Sequence, residues 1–328
     1  MPETLPTSMD PSKRSQQRKA SASVHGILLV DKPEGWTSHQ VVDTLRRRLG
    51  VSKMGHTGTL DPFATGLLVL CLGEATRIAD LLTLTDKHYI FRMRLGVETD
   101  TFDPTGQVTH IYEGPPIPPE RVREVAALMV GPSMQRVPRY AAVKVQGRRL
   151  YEWTRAGHQV ETPSRGVHIY ALHVLDASWP EITCSVHCSK GTYVRQLAAD
   201  IGSRLGCGAH VSALRRTQNG PFSVHDALPL DTLERMAHDR EWMRHVIPLH
   251  AALSHLPALV VTDSAIRNRL RHGHLPEAWL DSQAVVAEGH SGPVRLMGPD
   301  NELLALWWPV TDPGQRRLKV FQSSHNFI

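Results

Sequence analysis

Residues Glu181–Cys188 alternate without interruption, with Ile182, Cys184, Val186 and Cys188 on one face and Thr183, Ser185 and His187 on the other. A period of two demands a strand buried on one side. At Lys190-Gly191 the pattern turns, and Val194, Leu197, Ala198, Ile201 and Leu205 then recur with helical spacing. The strand also fixes what its cysteines can do. At about 3.3 Å per residue, the sulfurs of Cys184 and Cys188 start roughly 13 Å apart, too far for a disulfide or a shared metal. Four cysteines in a chain of 328 residues form no disulfide scaffold. No CxxC or HExxH occurs, so no metal site is expected. The chain reads as a reduced, cytoplasmic protein.

Other segments carry local signals. Gly26–Val30 is a short buried-strand pattern stopped by Asp31-Lys32-Pro33. Thr37 and Gln40 predict a capping box for a helix with Val41, Val42, Leu45 and Leu49 as its stripe, Arg46–Arg48 outside and Gly50 at its end. A glycine-punctuated loop is expected from Gly55 to Gly66, then an apolar run to Leu72. Lys87–Leu95 reads as a strand and Pro118–Val130 as a helix.

The length suggests two domains. Hydrophobic content of 41% excludes wholesale disorder. No apolar run approaches the roughly 18–20 residues that span a bilayer, so no membrane protein is expected. Residues 1–24 are polar and basic and lack the apolar core of a signal peptide. They read as a disordered tail, or as an arm that touches RNA nonspecifically. A boundary near residues 245–257 divides residues 25–250 from a small β-rich part, residues 251–328, with strand patterns at Val294–Met297, Leu303–Leu306 and Leu318–Phe321. Basic and acidic residues balance in that part, so the whole net charge of +5 lies before it.

That charge is clustered. Arg136, Arg139, Lys144, Arg148, Arg149 and Arg155 face only Glu152 between positions 136 and 155, with Tyr140, Tyr151 and Trp153 interleaved. Cations for phosphates beside rings for bases suit looped RNA, and a solvated basic face is the plain alternative. Arg46–Arg48 with Lys53, and Arg215-Arg216, are further clusters.

The segment Gly55-His56-Thr57-Gly58-Thr59-Leu60-Asp61-Pro62-Phe63-Ala64-Thr65-Gly66 is the most informative. Glycines permit close approach of a ligand, and Pro62 pushes Asp61 into an extended conformation. One carboxylate is then held on a stiffened turn. A helix N-cap is the alternative for Asp61-Pro62. No Gly-Lys-Ser/Thr follows, so it is no phosphate cradle.

This segment resembles the signature of the TruB-type tRNA pseudouridine synthases. Leu29–Pro33, Gly73–Arg77, Asp86–Tyr89, Lys144–Tyr151, Cys188–Arg195 and Gly208–Thr217 fit the same family in the same order, covering residues 26–226. The resemblance implies an α+β fold: a pseudouridine-synthase core with a central mixed, largely antiparallel sheet and flanking helices, plus a small β-rich, PUA-like C-terminal domain. It implies isomerisation of uridine 55 in the T-loop of tRNA, with no cofactor, no metal and no obligate protein partner. Asp61 would be the nucleophile, since a carboxylate of pKa roughly 4 needs no activating base. The target base must be flipped into a pocket. His56 would insert near the vacated stack, and Tyr89 would stack on the flipped base and handle the C5 proton. Arg195 would pair with Asp61 and depress its pKa. Tyr193 and Leu214 would complete the uridine pocket, with Lys32 in support.

Ala141 stands where relatives commonly carry Ser, and Arg139 is an added charge; both touch RNA docking more than chemistry. For the C-terminal part, contact with the tRNA acceptor stem and a purely structural role are equal readings. A non-catalytic RNA-binding or tRNA-folding protein on the same scaffold is the competing function. The joint presence of Asp61, Tyr89 and Arg195 favours the enzyme.

Overall fold

The structure, a computed structural model, describes residues 24–141, 143–158, 160–276, 279, 292–309 and 318–321. The expected N-terminal tail falls outside them except for Val24. The order begins with β1 (Gly26–Lys32), buried over most of its length, and α1 (Ser38–Arg48). The capping box forms: the Thr37 hydroxyl accepts from the Gln40 N–H at 3.1 Å, and Gln40 Oε1 accepts from the Thr37 N–H at 2.8 Å. Val41, Val42 and Leu45 are buried, and Arg46–Arg48 are exposed in the last turn, where cations complement the helix dipole.

β2 (Met54–Thr57) and β3 (Thr65–Leu72) pair antiparallel. This corrects the expected loop over residues 55–66: its first residues are claimed by the β3 ladder, and the loop proper is 58–64. α2 (Ala79–Thr83) leads to β4 (Lys87–Leu95), whose burial alternates along its length. β5 (Val97–Thr99) and β6 (Val108–Ile111) make a hairpin. α3 (Pro119–Ala127) is shorter than expected, with Pro118 and Leu128 as its caps. After β7 (Gly131–Arg136) an arm carries β8 (Lys144–Val145), β9 (Arg148–Arg149) and α4 (Leu150–Arg155) before β10 (Ser164–Ser178) returns beside β7. β11 (Glu181–Cys188) buries Ile182, Cys184, Val186 and Cys188 as its alternation requires. α5 (Val194–Leu205) and β12 (Ala209–Asn219) follow, then β13 (Phe222–Ser223), β14 (Leu228–Pro229), α6 (Leu230–Arg235) and α7 (Leu249–Ala252).

Among the described residues the main sheet runs β14-β1-β3-β12-β4-β11-β10-β7, with β2 beside β3 and β13 beside β12. Only β1/β14 and β3/β12 are parallel, so the sheet is mixed and largely antiparallel. The β3/β12 seam is short, pairing Thr65 with Arg215 and Gly66 with Arg216. On one side of it α3 and α5 cover β4, β11 and β12 through Phe91, Met93, Val122, Leu197 and Ile201. On the other, Leu28, Val30, Val41, Leu45 and Trp242 form a separate core.

The C-terminal region forms a second sheet, β15-β16-β17-β18, from β15 (Ala258–Val260), β16 (Val294–Met297), β17 (Leu303–Trp307) and β18 (Leu318–Val320), with α8 (Ser264–Arg271) before β16. Three of these strands follow the sequence pattern; β15 is too short to show one and exists by parallel pairing with β16. Met297, Leu303, Leu306 and Phe321 share a core with Ile27, Leu29, Leu67 and Val69. Arg77 reinforces the contact by donating to Val320 O at 2.5 Å and lying 5.2 Å over the Phe321 ring.

Gly66 is required at the seam. Its φ is +96°, and a Cβ there would collide with the Arg216 backbone. Gly66→Ala is expected to destabilise the fold by about 2 kcal/mol or more, read as a lowered urea midpoint with unchanged slope.

Candidate active site

The loop that carries Asp61 is fixed on both sides of that residue. Ser38, buried at the first turn of α1, uses its hydroxyl twice: it accepts from the Leu60 N–H at 2.8 Å and donates to Leu60 O at 3.1 Å. The next carbonyl but one, Pro62 O, accepts from the Gly35 N–H at 2.8 Å and from Lys32 Nζ at 3.3 Å. Lys32 is fully buried and also donates to Pro33 O at 2.8 Å and Trp36 O at 2.7 Å. Burial draws its amine down to about 8, against the pull of Asp61. Lys32 therefore acts on the loop's backbone. The Ala64 N–H donates to Asp61 O at 3.1 Å, so Asp61 opens a turn and caps no helix.

Asp61 meets Arg195 through two contacts, Nε to Oδ2 at 3.0 Å and Nη2 to Oδ1 at 3.3 Å. The Arg195 side chain is only 4% exposed, whereas that of Asp61 is 33% exposed. The arginine is thus interior despite its place in the first turn of α5. Its remaining nitrogen, Nη1, donates to Asp103 Oδ2 and to Thr101 O, each at 3.1 Å, and Nη2 also reaches Tyr140 O at 3.1 Å. Asp103 is itself anchored by Thr101 Oγ1 at 2.7 Å and the Thr105 N–H at 3.0 Å. One buried cation is held between two carboxylates, the geometry that a buried charge requires.

Arg195 lowers the Asp61 carboxyl as the pairing implies, but it is not the largest influence. Burial pushes that carboxyl up, Arg195 pulls it down, Asp103 pushes it up again, and the net direction is upward. Pairing with Arg195 opposes the cost of burial without overcoming it.

Asp61 opens on a cavity of about 820 Å³. Tyr89, Tyr193, Arg195 and Leu214 all line it, together with Lys87, Arg165, Lys190 and Arg216. Burial raises the Tyr89 phenol, and the Arg216 guanidinium beside it opposes that rise. Arg216 is buried at the β3/β12 seam and donates to Leu67 O at 2.7 Å and Gly58 O at 3.0 Å. The Arg165 guanidinium lies 5.4 Å over the Tyr193 ring. Rings and cations around one partly exposed carboxylate can hold a planar base and its phosphate beside a group able to act as nucleophile.

His56 is not brought into this chamber. It sits on β2 in a neighbouring depression with His39, Arg46 and Lys53. Burial, Arg216 and His39 hold its imidazole below the ordinary range, and its Nδ1 is buried without a hydrogen-bond partner. The sequence reading missed Ser38, Asp103 and the interior role of Arg216. Asp103 stands between Phe102 and Pro104 in a stretch that also holds Asp100, and nothing local distinguishes it from a turn residue.

The network predicts opposite titration shifts. Asp103→Asn removes a like charge and should lower the pKa of Asp61, whereas Arg195→Met removes its countercharge and should raise it. Carbon NMR of labelled aspartate across a pH series reads both directions.

The family model described as "TruB family pseudouridylate synthase (N terminal domain)" matches residues 46–194, and "tRNA pseudouridylate synthase B C-terminal domain" matches residues 195–254. The chain is similar to the tRNA pseudouridine synthase B of Syntrophobacter fumaroxidans, 49% identical over 90% of this chain and 97% of that protein. Its similarity to the protein of the same name from Syntrophus aciditrophicus is 43% over 92% and 99%. Among solved structures it resembles a chain of the archaeal box H/ACA sRNP Nop10–Cbf5 complex, with TM-score 0.63 and 25% identity over 92% of this chain and 87% of that one. A chain of a Cbf5–Nop10–Gar1 complex gives TM-score 0.64 and 26% identity over 92% and 86%. With the Asp61 loop, its arginine and the mixed sheet in place, the chain belongs to the TruB family of pseudouridylate synthases.

Proposed function

We propose that this chain isomerises uridine to pseudouridine in tRNA, at position 55 of the T-loop, with Asp61 as nucleophile. The observation that carries this reading is a single solvent-reachable carboxylate, fixed by its own backbone and by Arg195, facing a chamber walled by rings and cations. The reaction breaks the N1–C1′ bond, turns the base and joins C5 to C1′. Nothing is oxidised or transferred between molecules, and the proposal invokes no cofactor. A carboxylate can attack at C6 of the base or at the sugar, and either route ends with loss of the C5 proton. Tyr89, on the chamber wall beside Arg216, is the proposed group for that step. Tyr193 and Leu214 seat the base, Lys32 holds the loop, and His56 occupies the stack that the base leaves.

The T-arm is the proposed docking element, met by the basic arm between β7 and β10. Residues 25–250 then form the catalytic unit and residues 251–328 an appended β-rich one. Among the described residues no helix is long and apolar enough to cross a membrane. The cytoplasm, where tRNA matures, is the proposed location, and no obligate protein partner is invoked.

Tritium release from tRNA labelled at uridine C5 tests the reading, because isomerisation must expel that hydrogen. Wild-type protein should release tritium from the T-loop uridine, and Asp61→Asn should release none. Since phosphate contacts supply most of the affinity, that variant should still bind tRNA within about threefold of wild type. Tight binding without release by wild type would instead support the non-catalytic RNA-binding protein.

A further inference from the structure

The arm between β7 and β10 leaves and returns at one point: Arg136 pairs with Ser164, and the Val137 N–H donates to Pro163 O at 2.9 Å. It exposes Arg139, Lys144, Arg148 and Arg149 and has a small core of its own, in which Val137, Ala141 and Leu150 are buried. Tyr193 packs against that core. The arm therefore rests on a residue of the catalytic chamber.

Immediately before this hinge stands Gln135, which is only 4% exposed. Its amide grips both polar groups of one residue: Oε1 accepts from the Tyr193 N–H at 2.8 Å, and Nε2 donates to Tyr193 O at 3.0 Å. A side chain here imitates a strand neighbour for the residue that opens α5. No side-chain oxygen caps that helix, and Arg195 lies in its first turn. Arg195 in turn donates to Tyr140 O in the arm. The arm is thus tied to Tyr193 through packing and Gln135, and to Arg195 through Tyr140.

Resting on the isomerase reading, we propose that Gln135 is a positioning residue that couples docking of RNA on residues 137–163 to the seating of Tyr193 and Arg195 around the target uridine. Phosphates that clamp the arm also load the hinge, and the amide passes its position to the Tyr193 peptide. Loss of the amide leaves the arm able to hold RNA but frees the start of α5. Arg195 then drifts from Asp61. The charged groups that face Asp61 are Arg195, Asp103 and Lys32, so a displaced Arg195 leaves the carboxylate less compensated.

The test uses the full chain and tritium-labelled tRNA under single-turnover conditions with saturating enzyme, comparing wild type, Gln135→Met and Gln135→Glu. Gln135→Met keeps the length and removes both bonds. Its bound-state rate should fall by about a hundredfold, the cost of a misplacement near 1 Å. Its tRNA Kd should stay within about threefold, because the phosphate-binding cations are untouched. The acid limb of its rate profile should move to higher pH, the direction expected when Asp61 loses its cation. Gln135→Glu keeps the acceptor for the Tyr193 N–H and should fall between the two. A merely structural amide would lower the yield of folded protein while leaving the bound-state rate and the acid limb where they are, and that result overturns the proposal. If Gln135→Met does not fold, Gln135→Glu decides by the same two readouts. No release by wild type would remove the isomerase reading itself, a failure distinct from an active wild type with indifferent variants.

Discussion

The candidate active site is organised around one guanidinium removed from water. Arg195 is almost fully buried, and such a charge is tolerated only if each of its faces is paired. Asp61 and Asp103 supply the charges, and two backbone carbonyls, Thr101 O and Tyr140 O, take remaining donors. Three separate stretches of chain must therefore meet at α5: the loop before β3, the segment between β5 and β6, and the arm after β7. The sheet sets their approximate places, and the arginine fixes their final approach. A chain able to form every strand but lacking Asp103 would leave this cation half compensated.

Asp61 itself is held by its neighbours more than by its own side chain. Ser38 takes both polar groups of Leu60, while Lys32 and Gly35 take the carbonyl of Pro62. Gln135 treats Tyr193 in the same way. In each case a buried polar side chain stands in for a missing strand, satisfying backbone groups that a loop would otherwise expose to the interior. Strands supply Tyr89 and Leu214, but Asp61, Tyr193 and Arg195 stand on a loop and a helix start whose backbone is held by these side-chain bonds.

Periodic features of the sequence carried through to the structure. The alternation of Glu181–Cys188, the capping box at Thr37 and Gln40, and the stripe of α5 all report local geometry, which side-chain spacing encodes directly. Asp61, Tyr89, Tyr193, Arg195 and Leu214 were legible through motif resemblance and do line one chamber. Ser38, Asp103 and Gln135 were not. Each is a single polar residue whose partner lies far along the chain, and no window of sequence contains both members. For Asp61 the lowering by Arg195 is visible in a motif, but the burial that outweighs it is a property of the folded site. His56 shows the converse, since proximity in sequence to Asp61 did not place it in the same chamber.

The pairing of one cation with two anions also bears on what the site can survive. With Asp61, Arg195 and Asp103 all ionised, the cluster carries one surplus negative charge. If Asp61 bonds to carbon it becomes a neutral ester, and its negative charge passes out of the cluster onto the uracil. Arg195 keeps a full partner in Asp103, so the covalent state is electrically neutral at its centre. A lone Asp–Arg pair would behave in the opposite sense, neutral at rest and left with an orphaned interior cation once its carboxylate was esterified. The second carboxylate would thus move the imbalance of the cluster itself from a covalent state of Asp61 to the resting one, where solvent can still reach that carboxylate.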